Sequence, residues 1–417
     1  MNDPAIRQRS TGSSGGISPR VLGALALAVV TGVIAFSALG GGAKSTTSAS
    51  TSTTVGEGSP ASSSPVAVTG AVVGLPPLPE APKPLPAGGL YSGRPPMFVM
   101  VSFDGAAEQN VLAHWEDVTK RAQAHMTLFL SAVYMLGEDN KAAYQGPRHG
   151  PGESAINFAP TLGKPTVDFL RATVKGLQEA QLAGHELENH YAGHWCGPSG
   201  VNSWNRADWA AEINQFDNLT TNIDKLNKLD PPVGNPLLRA PIGSRTPCLE
   251  GNFDQLYPVL KARGYRYDAS KTRTLSEWPT QKNGLWTFGF PGVKIEGLSK
   301  PMLTVDYTLR ENLDPKHDAD EATAKDISRR VYEGYRKAFD DLYYGTRAPF
   351  EVSNHFVHFT REAYNLAVEK LLLEVCPMAE VQCVNYREAS DWLDAHKDAL
   401  TSFEKGSFPK LARPAGA

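Results

Sequence analysis

From Val21 to Leu39 the chain reads VLGALALAVVTGVIAFSAL, with Thr31 and Ser37 its only hydroxyl-bearing residues. A helix of that length rises roughly 28 Å, close to the thickness of a bilayer's hydrocarbon core. A buried helix of a soluble domain normally keeps a polar face over such a stretch, and this run has none. Arg7, Arg9 and Arg20 precede it, which predicts a cytoplasmic N-terminus and export of everything downstream. The expected order is a cytoplasmic segment over 1–20, then a transmembrane signal-anchor or signal peptide over 21–40. Ser37, Ala38, Gly41 and Ala43 offer small residues for cleavage, but the run is long for a signal peptide, which favours an uncleaved anchor.

Between Ser45 and Thr54 every residue except Ala49 is Ser or Thr, and prolines crowd positions 60 to 86. Such a stretch has little to bury, so 41–95 is expected to be a disordered linker that holds a domain away from the membrane. Folding is then confined to 96–400, with a short tail over 401–417. Lys and Arg number 41 against 44 Asp and Glu, a balance that gives no reason to expect nucleic acid.

The four cysteines, Cys196, Cys248, Cys376 and Cys383, all fall in the outer part. An even number in an exported chain predicts two disulfides. Cys376 and Cys383 are close enough to close a small loop, leaving Cys196 to pair with Cys248. Four reduced thiols are the alternative if the chain is not exported. A zinc site is disfavoured because no two cysteines stand at C-x-x-C spacing.

After Pro96 short apolar runs alternate with amphipathic ones. Strands are expected at Phe98–Phe103, Met126–Met135, Leu237–Arg239, Tyr265–Asp268 and Phe350–Phe356. Helices are expected over about 107–124, 166–183 and 206–229, with another ending near Leu373. Strand and helix in alternation imply an α/β fold, a parallel sheet or barrel, and about 300 residues fit one barrel with insertions. The polar clusters then sit at the C-terminal ends of strands, where such barrels do their chemistry.

His190 and His194 stand at i, i+4 in HYAGH. On one helical turn that spacing puts both imidazoles on one side, within reach of one ion. Alone the pair is weak, since ten histidines produce such spacings by chance. A metalloprotease motif opening at His185-Glu186 fails, because Asn189 occupies the position of its second histidine.

Read in order, SFDG at Asp104, GHELENHYAGH at 184–194, RAPIG from Arg239 to Gly243 and NHF at His355 resemble the polysaccharide deacetylase family of carbohydrate esterases. The family pattern is T-F-D-D-G, then G-H-E-x-x-N-H-[ST]-x-x-H, then R-x-P-[FYW]-G, then a histidine on a late strand. The resemblance spans about residues 97–395. It implies a distorted (β/α) barrel and a divalent ion, Zn²⁺ with Co²⁺ or Ni²⁺ as alternatives, held by Asp104, His190 and His194. The ion lowers the pKa of bound water and polarises the acetyl carbonyl. Arg239 would orient the base carboxylate, and His355 would protonate the leaving group. His358, three residues on, falls on the opposite face of a strand; His149 lies in a polar loop. The implied activity is removal of N- or O-linked acetyl groups from a cell-surface or extracellular polysaccharide by a monomeric, extracytoplasmic domain.

Several positions depart from the family pattern. Gly105 follows Asp104 where the family has a second acid, Tyr191 replaces Ser or Thr, and Glu188 stands where Gly is common. The Asp- and Trp-bearing fourth motif has only Asp268 or Glu277-Trp278 as candidates. Aligned without a gap, Asp104 is the base. Aligned with a one-residue deletion it is the metal ligand, and the base is Asp268 or Glu188. The ligand role is favoured, because two histidines without a carboxylate hold an ion poorly. The missing acid also admits a non-catalytic glycan-binding module on the same fold.

Overall fold

The computed structural model describes residues 81–159 and 166–414. The predicted cytoplasmic segment, the anchor at 21–40 and the linker up to residue 80 lie outside the described residues. Of two compact units, 1–68 and 69–417, only the second contains described residues. Among them no helix is long and apolar enough to cross a membrane.

The chain begins β1 (Met97–Gly105), α1 (Gln109–Ala122), β2 (Met126–Leu130), α2 (Thr166–Leu182) and β3 (Glu186–Asn189). It continues through α3 (Arg206–Thr221), α4 (Ile223–Asn227), β4 (Gly243–Ser244), α5 (Phe253–Ala262) and β5 (Tyr267–Arg273). Next come β6 (Thr280–Lys282), β7 (Leu285–Val293), β8 (Met302–Leu303), α6 (Asp306–Leu313), α7 (Glu321–Tyr343) and β9 (Phe350–His355). The last elements are α8 (Ala363–Val375), β10 (Val381–Cys383), α9 (Tyr386–Ala395) and α10 (Leu400–Glu404).

Strands β9, β1, β2, β3, β4, β5 and β7 pair in that order, each parallel to its neighbour. β10 runs parallel to the start of β1, and only β6 and β8 pair antiparallel. The fold is therefore α/β with a largely parallel sheet. β1 shows why its sequence is nearly all apolar: Met97 to Asp104 are all buried, because helices cover one face and the sheet's own interior the other. In α1, Val111, Leu112, Trp115, Val118 and Ala122 are buried at helical spacing, and the Trp115 ring lies 4.7 Å from that of Phe103.

The sheet curls on itself. Phe129 of β2 and Phe290 of β7 lie 4.0 and 4.7 Å from the carbon of one guanidinium, that of Arg245, which follows β4. The same guanidinium bonds Ser102 of β1 and Ser353 of β9. Strands from opposite ends of the sheet thus meet on a single side chain.

Several boundaries move. Residues 81–95, expected within the linker, are strapped to the domain. Lys83 donates to the carbonyls of Cys376 and Met378 at 2.7 and 2.9 Å, and Arg94 pairs with Glu380 at 2.6 Å. The expected tail begins inside α10, where Phe403 is buried and stacks 5.6 Å from Trp392. The helix expected over 206–229 breaks at Asn222 into α3 and α4. Leu237–Arg239 is not a strand; the pairing falls at Gly243–Ser244. Both expected disulfides, Cys196–Cys248 and Cys376–Cys383, are present, and they fit an oxidising, extracytoplasmic compartment.

Candidate active site

Asp104 and His355 end neighbouring parallel strands and are direct register partners. Each is fixed by an opposite charge. Arg245 donates from Nη1 to Asp104 Oδ1 at 2.7 Å and to Ser353 Oγ at 3.0 Å. Its Nη2 serves Ser102 Oγ and the Tyr386 hydroxyl, at 2.9 and 3.0 Å, and its Nε the Ala269 carbonyl at 3.0 Å. All five N–H groups of a fully buried guanidinium are thereby used, so Arg245 is a rigid post behind Asp104. Burial alone would raise the Asp104 pKa, but Arg245, with His190 and His355 nearby, holds it down at about 2.

His355 is locked from the other side. Asp306, at the start of α6, accepts from His355 Nδ1 and from its backbone N–H, both at 2.7 Å. The chain delivers Asp306 there because the preceding residues run along β9: Ser353 N donates to the Thr304 carbonyl, and Val305 bridges Ser353. Burial would lower the His355 pKa, but the charge and hydrogen bond of Asp306 raise it to about 9. At neutral pH the His355 imidazole is therefore protonated.

His190 follows β3 and is 2% exposed. Its Nδ1 lies 2.8 Å from the Arg245 carbonyl, so Nδ1 carries the proton and Nε2 presents a lone pair. That Nε2 is buried with no partner. The His194 ring centroid is 5.0 Å away. The two rings meet across a loop, not a helical turn as expected: Tyr191 and His194 take left-handed φ of 63° and 57°. Glu212 of α3 pins this loop by accepting from the Ala192 and Gly193 amides at 3.0 and 2.8 Å, and the Tyr144 hydroxyl donates to the same carboxylate. A Cβ on Gly193 would lie 2.0 Å from that hydroxyl. Gly193→Ala is therefore expected to cost about 1–3 kcal/mol, read as a lower thermal midpoint. The Cys196–Cys248 disulfide then ties this loop to the one after β4.

Donors around a divalent ion at 2.0–2.2 Å lie within roughly 4.4 Å of one another. Among the described residues the group of three His, Cys, Asp or Glu donors that meets 4.8 Å is His194, Cys196 and Cys248, whose sulfurs are already joined. Asp104, His190 and His194 thus do not close a three-ligand cage. The orphaned Nε2 of His190 suits an ion; the carboxylate, turned to Arg245, does not complete the set. Gly105, in the place of a second acid, has φ of 97°, a region an L side chain rarely adopts.

Other expectations resolve plainly. Arg239 lies half-buried in the approach to β4, and the arginine that reaches Asp104 is Arg245. Glu188 turns inward one layer below His190, accepting from the Ile242 and Gly243 amides at 2.8 and 2.6 Å and from Arg387. Asp268 is buried against Tyr257 and Ser270. Neither is placed as a base. Trp278 packs at Trp392 and Phe403, away from the mouth. His358 is exposed and pairs with Glu362, while His149 stacks on Trp195 with centroids 3.4 Å apart. Arg245 and Asp306 were missed. Arg245-Thr246-Pro247 is a second R-x-P six residues after the first, a signal the stronger RAPIG match hid.

No family model and no curated protein matches the chain. Among solved structures, a candidate polysaccharide deacetylase from Mycobacterium smegmatis aligns over 81% of this chain and 98% of its own, with TM-score 0.45 and 14% identity. The chain is similar to polysaccharide deacetylases. The peptidoglycan deacetylase PdaC of Bacillus subtilis aligns over 74% of this chain and 96% of its own at TM-score 0.36 and 11% identity. A CE4 family pseudoenzyme from Bacillus anthracis aligns over 71% and 66%, at TM-score 0.36 and 11% identity. Scores at this level leave the functional reading to the side chains themselves.

Proposed function

We propose that this domain is an extracytoplasmic hydrolase that removes acetyl groups from a glycan, on a distorted (β/α) barrel of the polysaccharide deacetylase type. The observation that carries this is the Asp104–His355 pair, two register partners of which one is bonded to the buried Arg245 and the other to Asp306, contacts that favour a charged carboxylate and a charged imidazole. Neighbouring groups poised in opposite states mark an acid and a base. Asp104 takes the base role, since its Arg245 partner keeps it ionised and fixed in place. His355 supplies the proton to the departing amine or alcohol, and Tyr307, half exposed with its ring 6.2 Å from His355, offers a face to a sugar. A divalent ion, with Zn²⁺ first and Co²⁺ or Ni²⁺ next, would be held weakly, by His190 and His194 with no carboxylate to complete the set. The 21–40 segment would anchor the chain.

A second reading keeps the fold and drops the chemistry. Gly105, left-handed where a second acid would stand, favours a catalytically impaired glycan-binding module. Acetate release from N-acetylated chitotriose and from acetylated xylan, with and without added Zn²⁺ or Co²⁺, separates the two. The hydrolase reading expects release that Asp104→Asn abolishes. Binding without release, under every metal condition, leaves the module.

A further inference from the structure

His190 Nε2, just after β3, is a buried polar atom without a partner, and Ser131 Oγ, just after the neighbouring β2, is another. Ser131 follows β2, is 1% exposed and keeps extended torsions, φ −87° and ψ 109°. The strand's alternation therefore carries through it, and its side chain falls on the face of Thr127 and Phe129. That face is the interior. Thr127 donates to Glu186 at 2.9 Å, and Phe129 lies against the Arg245 guanidinium. β2 runs between β1 and β3, and the His190 amide donates to the Leu130 carbonyl at 2.9 Å. Ser131 thus stands between the strand that ends in Asp104 and the strand that leads to His190.

A buried hydroxyl without a partner destabilises the fold, and alanine would pack there at no such cost. The donors at these three strand ends say what the hydroxyl is for. Asp104 accepts through Oδ1 from Arg245, and His190 Nε2, with the proton on Nδ1, accepts as well. His355 is committed to the leaving-group side. The Ser131 hydroxyl is a neutral donor without a partner beside them, available to an oxygen that gains negative charge.

We propose that Ser131 is a substrate-contacting residue whose hydroxyl donates to the acetyl carbonyl oxygen and stabilises it as charge develops. This rests on the acetyl-hydrolase reading, and it concerns a residue outside every motif of the resemblance. Loss of one such donor slows turnover by about 100-fold or more.

The test uses the full chain and Ser131→Ala, with acetate release and calorimetric binding of N-acetylated chitotriose as separate readouts. Expected are a drop in kcat of about 100-fold, binding weakened by about tenfold, and a thermal midpoint equal to or above that of wild type. Ser131→Thr, which keeps the hydroxyl, should recover most of the rate. Unchanged kcat and Kd in the alanine variant overturn the assignment. So does a fall in thermal midpoint that tracks the lost activity with no recovery in Ser131→Thr. A wild type that binds through Ser131 yet releases no acetate sinks the hydrolase reading and leaves the contact standing. One that neither binds nor turns over either glycan sinks both.

Discussion

Arg245→Met is expected to destabilise the domain by about 3–5 kcal/mol and to abolish turnover, the largest single effect among the changes considered. The guanidinium is fully buried and uses all its donors, so its removal leaves the Asp104 carboxyl buried without its counter-charge, either ionised at high cost or forced to take up a proton. Breaking a buried pair from one side costs this much because a lone charge is left behind. Without Arg245, burial would dominate at Asp104 and raise its pKa from about 2, so the base would no longer stay ionised. Arg245→Lys offers three donors on a flexible stem in place of a five-donor fork, and should fall between. Chemical denaturation of the single variants and of Arg245→Met/Asp104→Asn provides the check. The double variant should regain part of the loss, because it carries no unpaired carboxylate. Strict additivity would mean the pair is not coupled.

His355→Ala should lower kcat by about 10²–10⁴-fold, the usual weight of a positioned proton donor. Asp306→Asn makes the sharper experiment. His355 acts as an acid only while protonated, and its pKa is raised to about 9. The rate should therefore hold across neutral pH and fall as pH rises through about 9. With the Asp306 charge removed, the alkaline limb should move down toward the ordinary histidine value of 6.5. The same shift has a stability consequence. A group whose folded pKa is raised contributes stability fully present below its unfolded value, and that stability is lost as pH rises through the folded value. Wild type should lose this increment between about 6.5 and 9, and Asp306→Asn should lack it throughout. A pH–rate profile identical in the two proteins would remove His355 from the acid role.

Sequence alone made the strand ends legible where local pattern and chemistry agree. FVMVSF ending in Asp104 and FEVSNH ending in His355 are apolar runs that stop at polar residues, and both are strands with those residues at their mouths. The disulfides followed from count and spacing. What stayed hidden depends on contacts between distant segments. Asp306 has no local signal, since its meaning comes from a stretch at 304–305 lying along β9. The long α7 and the strand β7 were not expected. β4 is two residues long, too short to show period-two alternation, so its position was placed six residues early at Leu237. The histidine spacing suggested a helical turn because i, i+4 is also what a loop with two left-handed residues can produce.

The strap at 81–95 grips the lower rim of the molecule: Lys83 and Arg94 are fastened around the start of β10, beside the first residues of β1. Asp104 and His355 open at the other pole. Residues 81–95 therefore fasten to the rim remote from Asp104 and His355, and loosening the Lys83 and Arg94 contacts is expected to loosen that rim while leaving the two strand-end residues in register.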